Sequence, residues 1–72
     1  MSGGVTVRIT VNGEPRSMAD GATVADVLTV LGMPSTGVAV AVDGEVVRRA
    51  DWSVSELDDG AAVEVLTAVQ GG

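Results

Sequence analysis

Few residues of this chain could carry out chemistry by themselves. Histidine, cysteine, lysine and tyrosine are all absent from its 72 residues. The usual general bases and side-chain nucleophiles are therefore missing, which leaves carboxylates and hydroxyls. The lack of cysteine and histidine also excludes a disulfide and a structural zinc site of the usual kind. The sequence thus argues against a self-contained enzyme.

The strongest candidate for chemistry is the last stretch, TAVQGG, from Thr67 to Gly72. Glycine has no Cβ, so a Gly-Gly segment can enter a narrow active site and adopt unusual dihedral angles. The α-carboxylate of Gly72 would be ionised at neutral pH, because such a group has an ordinary pKa of about 3.5. An ionised carboxylate is a poor acyl donor. It would first have to be activated, most simply as an acyl-adenylate.

The glycine pair is a weak signal by itself. Ten of the 72 residues are glycine, and the same pair occurs at Gly3-Gly4. A frayed chain end is the plain alternative, because most termini are poorly ordered. Gly71-Gly72 gains meaning from its place directly after the last predicted strand, which would hold a flexible segment on a rigid base.

Length and charge limit the class of protein. Residues 1–72 are expected to form a single small domain, with 69–72 as a flexible C-terminal tail. Hydrophobic residues make up 46% of the chain, enough for an aliphatic core, and the net charge is −6. Nucleic acid and anionic membranes would repel such a surface, so neither is an expected partner. With no membrane-length apolar run and no signal pattern, we expect a cytoplasmic location.

The first half of the chain reads as a hairpin followed by a helix. Strict alternation predicts a strand over Val5–Val11, and Asn12-Gly13 predicts a tight turn. Glu14–Met18 would return as an edge strand, because Pro15 cannot donate to a ladder. An apolar stripe then predicts a helix over Val24–Leu31.

The ends of that helix carry their own signals. Thr23 is the expected N-cap, and Asp26 lies three residues later, near the positive end of the helix. Gly32 can take the left-handed conformation that ends a helix, and Pro34 follows it.

The second half of the chain predicts another hairpin and a last strand. The expected elements are a strand over Gly37–Val42, a turn at Asp43-Gly44, a return strand over Glu45–Val47, an irregular or helical turn over Arg48–Trp52, and a strand over Ala62–Ala68. In the last strand, Val63 and Val65 would face the core, whereas Leu66 and Ala68 would face outward.

The order hairpin, helix, hairpin, strand predicts a two-layer α+β domain. A mixed sheet of four to five strands would pack on one main helix. If the first and last strands lie side by side at the sheet centre, the arrangement is the β-grasp, or ubiquitin-like, fold.

Three stretches of the chain resemble the thiamine sulfur-carrier family (ThiS), whose fold is the β-grasp. They are VAVAVDGEVVRRADW at Val38–Trp52, LDDGAAVEVL at Leu57–Leu66 and the terminal VQGG. The resemblance covers nearly everything from Val5 to Gly72. In the family a basic residue and a tryptophan follow the second hairpin, here Arg49 and Trp52. Arg48 stands where the family pattern has proline, which raises a question about local backbone shape and partner fit.

The resemblance implies a sulfur carrier with Gly72 as its functional residue. An E1-like adenylyltransferase of the ThiF type would use ATP-Mg to adenylate the Gly72 carboxylate. Persulfide sulfur, drawn from cysteine by a cysteine desulfurase, would then replace AMP and give a thiocarboxylate. A ThiG-type thiazole synthase would take this sulfur into the thiazole of thiamine. The carrier itself would bind no cofactor and no metal.

The residues support this independently. Because the chain has no cysteine, it could carry sulfur only at its terminus. Because it has no lysine, it could not form isopeptide-linked chains with itself.

The outward face of the last strand and the terminal segment form the expected partner-binding set. It comprises Leu66, Ala68, Val69, Gln70 and Gly71. In ubiquitin-like proteins this sheet face docks to the activating enzyme. The alternatives are a face covered by a helix or loop, or a single exposed leucine of no significance.

Other candidates have plainer interpretations. Arg48 and Arg49 could pair with an acidic partner, although a solvated loop is the commoner role. Trp52 is expected to cover the core. Asp58 and Asp59 favour turn chemistry over metal binding, because a glycine follows them.

Two rival functions stay open on the sequence. The small subunit of molybdopterin synthase shares the fold and the Gly-Gly end, but it tends to be longer and to have a proline in its tail. The rival from another class is a β-grasp interaction module whose tail is unused.

Overall fold

The computed structural model of the protein describes residues 5–34 and 36–67. Within them, one five-stranded sheet packs against one α-helix, which confirms the predicted two-layer α+β architecture. The elements in chain order are β1 (Thr6–Val11), β2 (Glu14–Ala19), α1 (Val24–Leu31), β3 (Val38–Val42), β4 (Glu45–Val47), a 3₁₀ turn (Arg49–Asp51) and β5 (Ala62–Thr67). No helix in this part of the chain is long and apolar enough to span a membrane.

The strands lie in the order β2-β1-β5-β3-β4. The first and last strands are therefore neighbours at the centre, as the β-grasp prediction required, and they run parallel. All other neighbouring pairs are antiparallel. Strand β2 lies at the edge of the sheet, which confirms the position that Pro15 predicted.

Most predicted element bounds are confirmed, and the differences are single residues. The strands predicted to begin at Val5 and Gly37 begin one residue later. The Val5 carbonyl still accepts from the Asp20 N–H at 2.9 Å, just before the first strand pair, and Gly37 has a φ of +72°, outside the strand region. Strand β2 continues one residue further, to Ala19. The predicted end of the last strand, Ala68, lies outside the described residues.

The core lies between α1 and the inner face of the sheet. Its most deeply buried side chains are Ile9, Val24, Val27, Val40 and Val63. Trp52 closes one side of this core and is only 5% exposed, as expected. Its indole N–H donates a 2.9 Å hydrogen bond to the Val47 carbonyl, so the polar end of the ring is satisfied as well.

Both ends of α1 have caps. Thr23 Oγ1 accepts from the Asp26 N–H at 3.3 Å, and the Asp26 carboxylate accepts from the Thr23 N–H at 2.9 Å, a reciprocal capping box. Two more N–H groups at this end donate to the carbonyls of Ser55 and Trp52 at 3.0 and 3.1 Å. Gly32 ends the helix with a φ of +70°, the left-handed conformation that the sequence predicted.

The capping box predicts opposite effects for one substitution at two threonines. Thr23→Ala removes the cap and should lower the free energy of unfolding by about 0.5–2 kcal/mol. Thr29→Ala is the matched control, because Thr29 is exposed inside the same helix and alanine is the better helix former by up to about 0.7 kcal/mol. Urea denaturation of both variants checks this. Equal effects of the two substitutions would contradict the cap.

Candidate functional site

The predicted site falls mostly beyond the described residues. Ala68, Val69, Gln70, Gly71 and Gly72 lie outside them, and Leu66 lies within. The structure therefore describes the base of the candidate site, which is strand β5 and the residues that hold it.

Strand β5 shows the alternation that the sequence predicted. Val63 and Val65 are 1% and 6% exposed on the core side, whereas Leu66 is 64% exposed on the opposite face. Strand β3 pairs with β5 along its whole length, from Val42 opposite Val63 to Val38 opposite Thr67. The strand that leads to the chain terminus is thus anchored by burial and by a full antiparallel ladder.

The pairing on the other side of β5 is much shorter. Strand β1 contributes two residue pairs, Thr10 with Ala62 and Val11 with Val63. Backbone bonds from the Thr10 and Asn12 N–H groups to the carbonyls of Ala61 and Val63, at 3.0 and 2.8 Å, hold this parallel contact. Side-chain hydrogen bonds support this short contact further.

One such support comes from Asn12, the first residue of the β1–β2 turn. Its φ is +52°, and Gly13 follows with a φ of +85°, as in the two-residue turns that suit hairpins. The Asn12 Oδ1 accepts from the Val65 N–H at 2.8 Å, and its Nδ2 donates to the Val65 carbonyl at 3.2 Å. Asn12 therefore bonds to both peptide groups of a residue more than fifty positions away.

Asp43 holds β5 from the opposite side. It occupies the same place in the β3–β4 turn, with a φ of +51°. Its Oδ1 accepts from the Ala62 N–H at 3.0 Å, and its own N–H donates to the Ala62 carbonyl at 2.8 Å. Sequence reasoning identified Asn12 and Asp43 as turn residues and missed these bonds, because nothing local in the sequence marks partners so distant.

Asp59 makes a third bond of this kind at the start of β5. Its Oδ1 accepts from the Arg8 N–H at 2.8 Å, and the Gly60 N–H donates to the Arg8 carbonyl at 2.6 Å. Gly60 has a φ of +89°, as a turn of this shape requires. The predicted turn role of Asp59 is confirmed, and no metal-binding group of carboxylates occurs among the residues that the structure describes.

The outer face of the sheet, opposite α1, carries a small apolar patch. In the strand register Leu66 lies opposite Ala39, and Val46 lies opposite Ala41. Val46 is 77% exposed. Glu64, an acidic residue, lies opposite Ala41 on the other side of β3. We call Ala39, Ala41, Val46 and Leu66 the outer patch. No described helix or loop buries Leu66, so the covered-face alternative is wrong for this part of the chain.

Arg48 keeps the backbone shape of the proline that the family pattern has there. Its φ is −69° and its ψ is 146°, and proline fixes φ near −65°. Its carbonyl accepts from the Asp51 N–H at 2.8 Å, which begins the 3₁₀ turn. The departure at this position therefore leaves the fold intact, and its effect on partner fit stays a prediction.

The parallel central pair, the two flanking hairpins and the single crossing helix define a β-grasp, or ubiquitin-like, domain. The family model described as "ThiS family" matches residues 9–72. The sulfur carrier protein ThiS of Thermus thermophilus is 39% identical over 62 residues, which cover 86% of this chain and 95% of that protein. The crystal structure of the thiamine biosynthesis protein ThiS from Geobacter metallireducens superposes with a TM-score of 0.77, at 33% identity, over 92% of this chain and all of that chain. This chain belongs to the ThiS family.

The alternation in β5 predicts unequal effects for two neighbouring substitutions. Val65→Ala removes methyl groups from the core and should cost about 1–3 kcal/mol of unfolding free energy. Leu66→Ala, on the exposed face, should change it by no more than about 0.5 kcal/mol. Thermal and urea unfolding of the pair measure this. A larger loss for Leu66→Ala would show that the outer patch is part of the core.

Proposed function

We propose that this protein carries sulfur on the C-terminal carboxylate of Gly72 for the synthesis of the thiazole of thiamine. It is a sulfur-carrier protein and a protein co-substrate, not an enzyme. The observation that supports this most is the family match, which continues through Gly72. The chain has no cysteine, so no side chain can hold the sulfur as a persulfide or disulfide.

The chemistry begins with activation of the carboxylate in the cytoplasm. A ThiF-type, E1-like adenylyltransferase binds ATP-Mg. The Gly72 carboxylate oxygen attacks the α-phosphate to form the acyl-adenylate, and pyrophosphate leaves. The terminal sulfur of a persulfide, made from cysteine by a desulfurase, then attacks the acyl carbon, and AMP leaves. A thiol cleaves the S–S bond of this intermediate and becomes a disulfide, while the thiocarboxylate leaves with the electron pair. A ThiG-type thiazole synthase takes up the sulfur.

This chain contributes position rather than catalysis. Strand β5 is held on one side by the β3 ladder and on the other by β1, Asn12 and Asp59. A fixed base lowers the entropy that must be lost when the terminal carboxylate enters a partner's active site. The glycines Gly71 and Gly72 have no side chains to obstruct that entry.

The partner-binding surface is the second element of the proposal. The outer patch, which includes Leu66, presents apolar area beside the end of strand β5. A partner that covers the patch would place its active site next to the terminal segment. Ala68, Val69, Gln70 and Gly71 would line the path between the patch and the reacting carboxylate.

The thiamine pathway is favoured over the molybdopterin alternative by the comparisons, in which both named relatives are ThiS proteins. The interaction-module alternative differs in chemistry, since its terminus would never be modified. The acceptor of the sulfur and the modification of the terminus are therefore the two measurements that separate these functions.

The proposal predicts that Gly72 becomes a thiocarboxylate. Incubation of the 72-residue chain with a ThiF-type enzyme, ATP-Mg, cysteine and a desulfurase should replace one terminal oxygen by sulfur. Intact-protein mass spectrometry, followed by fragmentation, locates the exchange at Gly72. An unchanged mass with an enzyme that is active on another ThiS protein would rule out the carrier function.

Deletion of Gly71-Gly72 is the matched control for this experiment. The shortened chain should unfold within about 0.5 kcal/mol of the full chain, because the pair follows the described core. It should accept no sulfur. Loss of both stability and sulfur transfer would indicate a structural role for the pair.

The outer patch predicts that Leu66→Ser weakens binding to the adenylyltransferase. Loss of an apolar anchor at the centre of an interface costs about 1.4 kcal/mol or more, which is about tenfold in Kd. Val54→Ser is the control, since Val54 is 72% exposed but lies outside the strands. Titration calorimetry should show a change within about twofold for Val54→Ser. Equal Kd values for the two variants would remove the outer patch from the interface.

A further inference from the structure

The bonds between Asn12 and Val65 continue a β-ladder after its strand has ended. In a parallel ladder, a residue donates its N–H to one carbonyl of the neighbouring strand and accepts from an N–H two residues further on. Thr10 and Asn12 donate to Ala61 and Val63 in this way. Past Asn12 the chain turns through Gly13 into β2, so β1 offers no backbone group to Val65.

The Asn12 side chain supplies the missing peptide group. Its Oδ1 accepts from the Val65 N–H, as the backbone carbonyl would have done, and its Nδ2 donates to the Val65 carbonyl, as the next N–H would have done. A carboxamide has the same donor and acceptor as a peptide bond, so it fits this position in both roles. Asn12 thus forms the last rung described on the β1 side of β5.

The direction of the backbone groups in β5 explains why this rung matters. The Asp43 N–H donates to the Ala62 carbonyl, and the Ala62 N–H donates to Asp43 Oδ1, so both backbone groups of Ala62 bond towards β3. Because bonding direction alternates along a strand, Ala62, Glu64 and Leu66 bond towards β3, whereas Val63, Val65 and Thr67 face β1. Val65 is held on that side by Asn12, two residues before the strand ends at Thr67.

We propose that Asn12 is a positioning residue that fixes the C-terminal end of β5, and thereby the base from which the Gly72 carboxylate is presented to a partner. This rests on the proposed function of Gly72. Each residue released from the strand adds up to about 3.5 Å of reach and its own backbone freedom. Without the Val65 rung, β5 beyond Val63 would be held by the β3 ladder alone, so the last residues of the strand would open more often and its end would be less well fixed.

The residue types at the two turns agree with these roles. At position 12 both a donor and an acceptor are needed, which asparagine provides and an ionised aspartate does not. At position 43 an acceptor is enough, because the Asp43 N–H already donates to the Ala62 carbonyl. Asp43 also bonds to β5, but at Ala62, the first residue of that strand and the one farthest from the chain terminus.

This difference provides a matched experiment. Asn12→Gly and Asp43→Gly each remove side-chain bonds to β5, and glycine keeps the positive φ that both turns need. Hydrogen exchange should accelerate about tenfold at the Val65 amide in Asn12→Gly, and should stay within about twofold of wild type there in Asp43→Gly. Asn12→Asp keeps an acceptor for the Val65 N–H but loses the donor to the Val65 carbonyl, so its exchange rate should lie between those of wild type and Asn12→Gly.

The functional measurement is the release of pyrophosphate by a ThiF-type enzyme, with the carrier as varied substrate. Asn12→Gly should lower kcat/KM about tenfold, whereas Asp43→Gly should stay within about twofold of wild type after correction for the folded fraction. Equal kcat/KM values for the two glycine variants, or an unchanged exchange rate at Val65, would overturn the positioning role. If the wild-type chain itself releases no pyrophosphate, the proposed function of Gly72 fails instead, and the exchange rates still report on the rung.

Discussion

The parallel contact between the first and last strands is the interaction on which the rest of this structure depends. It joins residues more than fifty positions apart and places β5 at the sheet centre. Only two residue pairs form it, so it is extended by side chains at both ends: Asp59 bonds to the Arg8 N–H, and Asn12 bonds to Val65. Both hairpins and the helix are arranged around this short ladder.

Burial stabilises what the short ladder alone could not. Val63 and Val65 extend from β5 into a core of aliphatic side chains that α1 covers and Trp52 closes. In a chain this small, with no disulfide, the free energy of folding depends on how completely these few residues leave water. The last strand is therefore a part of the core, and the terminal segment begins directly after it.

The part of the chain that is held in the sheet and the group proposed to react are at different places in the sequence. In the described domain, caps fix both ends of α1 and the β3 ladder fixes β5. The outer patch lies exposed beside this last strand. The proposed reacting group lies at the terminus, beyond the strand that anchors it. Under the proposed function, the carrier needs no catalytic side chains, because its partner enzymes would supply them. Its own sequence would need only to present the Gly72 carboxylate from a defined place.

The sequence by itself determined the elements, since their signals are local. Alternation located β1, the apolar stripe and its caps located α1 to the residue, and the Asn12-Gly13 and Asp43-Gly44 pairs located both hairpin turns. The resemblance to the ThiS family supplied the function, and the fold and comparisons agree with it. Of the candidate site, the sequence placed Leu66 on the exposed face correctly.

Only the tertiary structure decided what the turn residues do beyond turning. Asn12 and Asp43 look alike in the sequence, yet one completes a rung at Val65 and the other starts the ladder at Ala62. Their partners come from a strand that is distant along the chain, so periodicity and turn propensity contain no information about them. The register of the central strands brings these groups within hydrogen-bond distance, and register is set by the packing of the whole sheet on its helix.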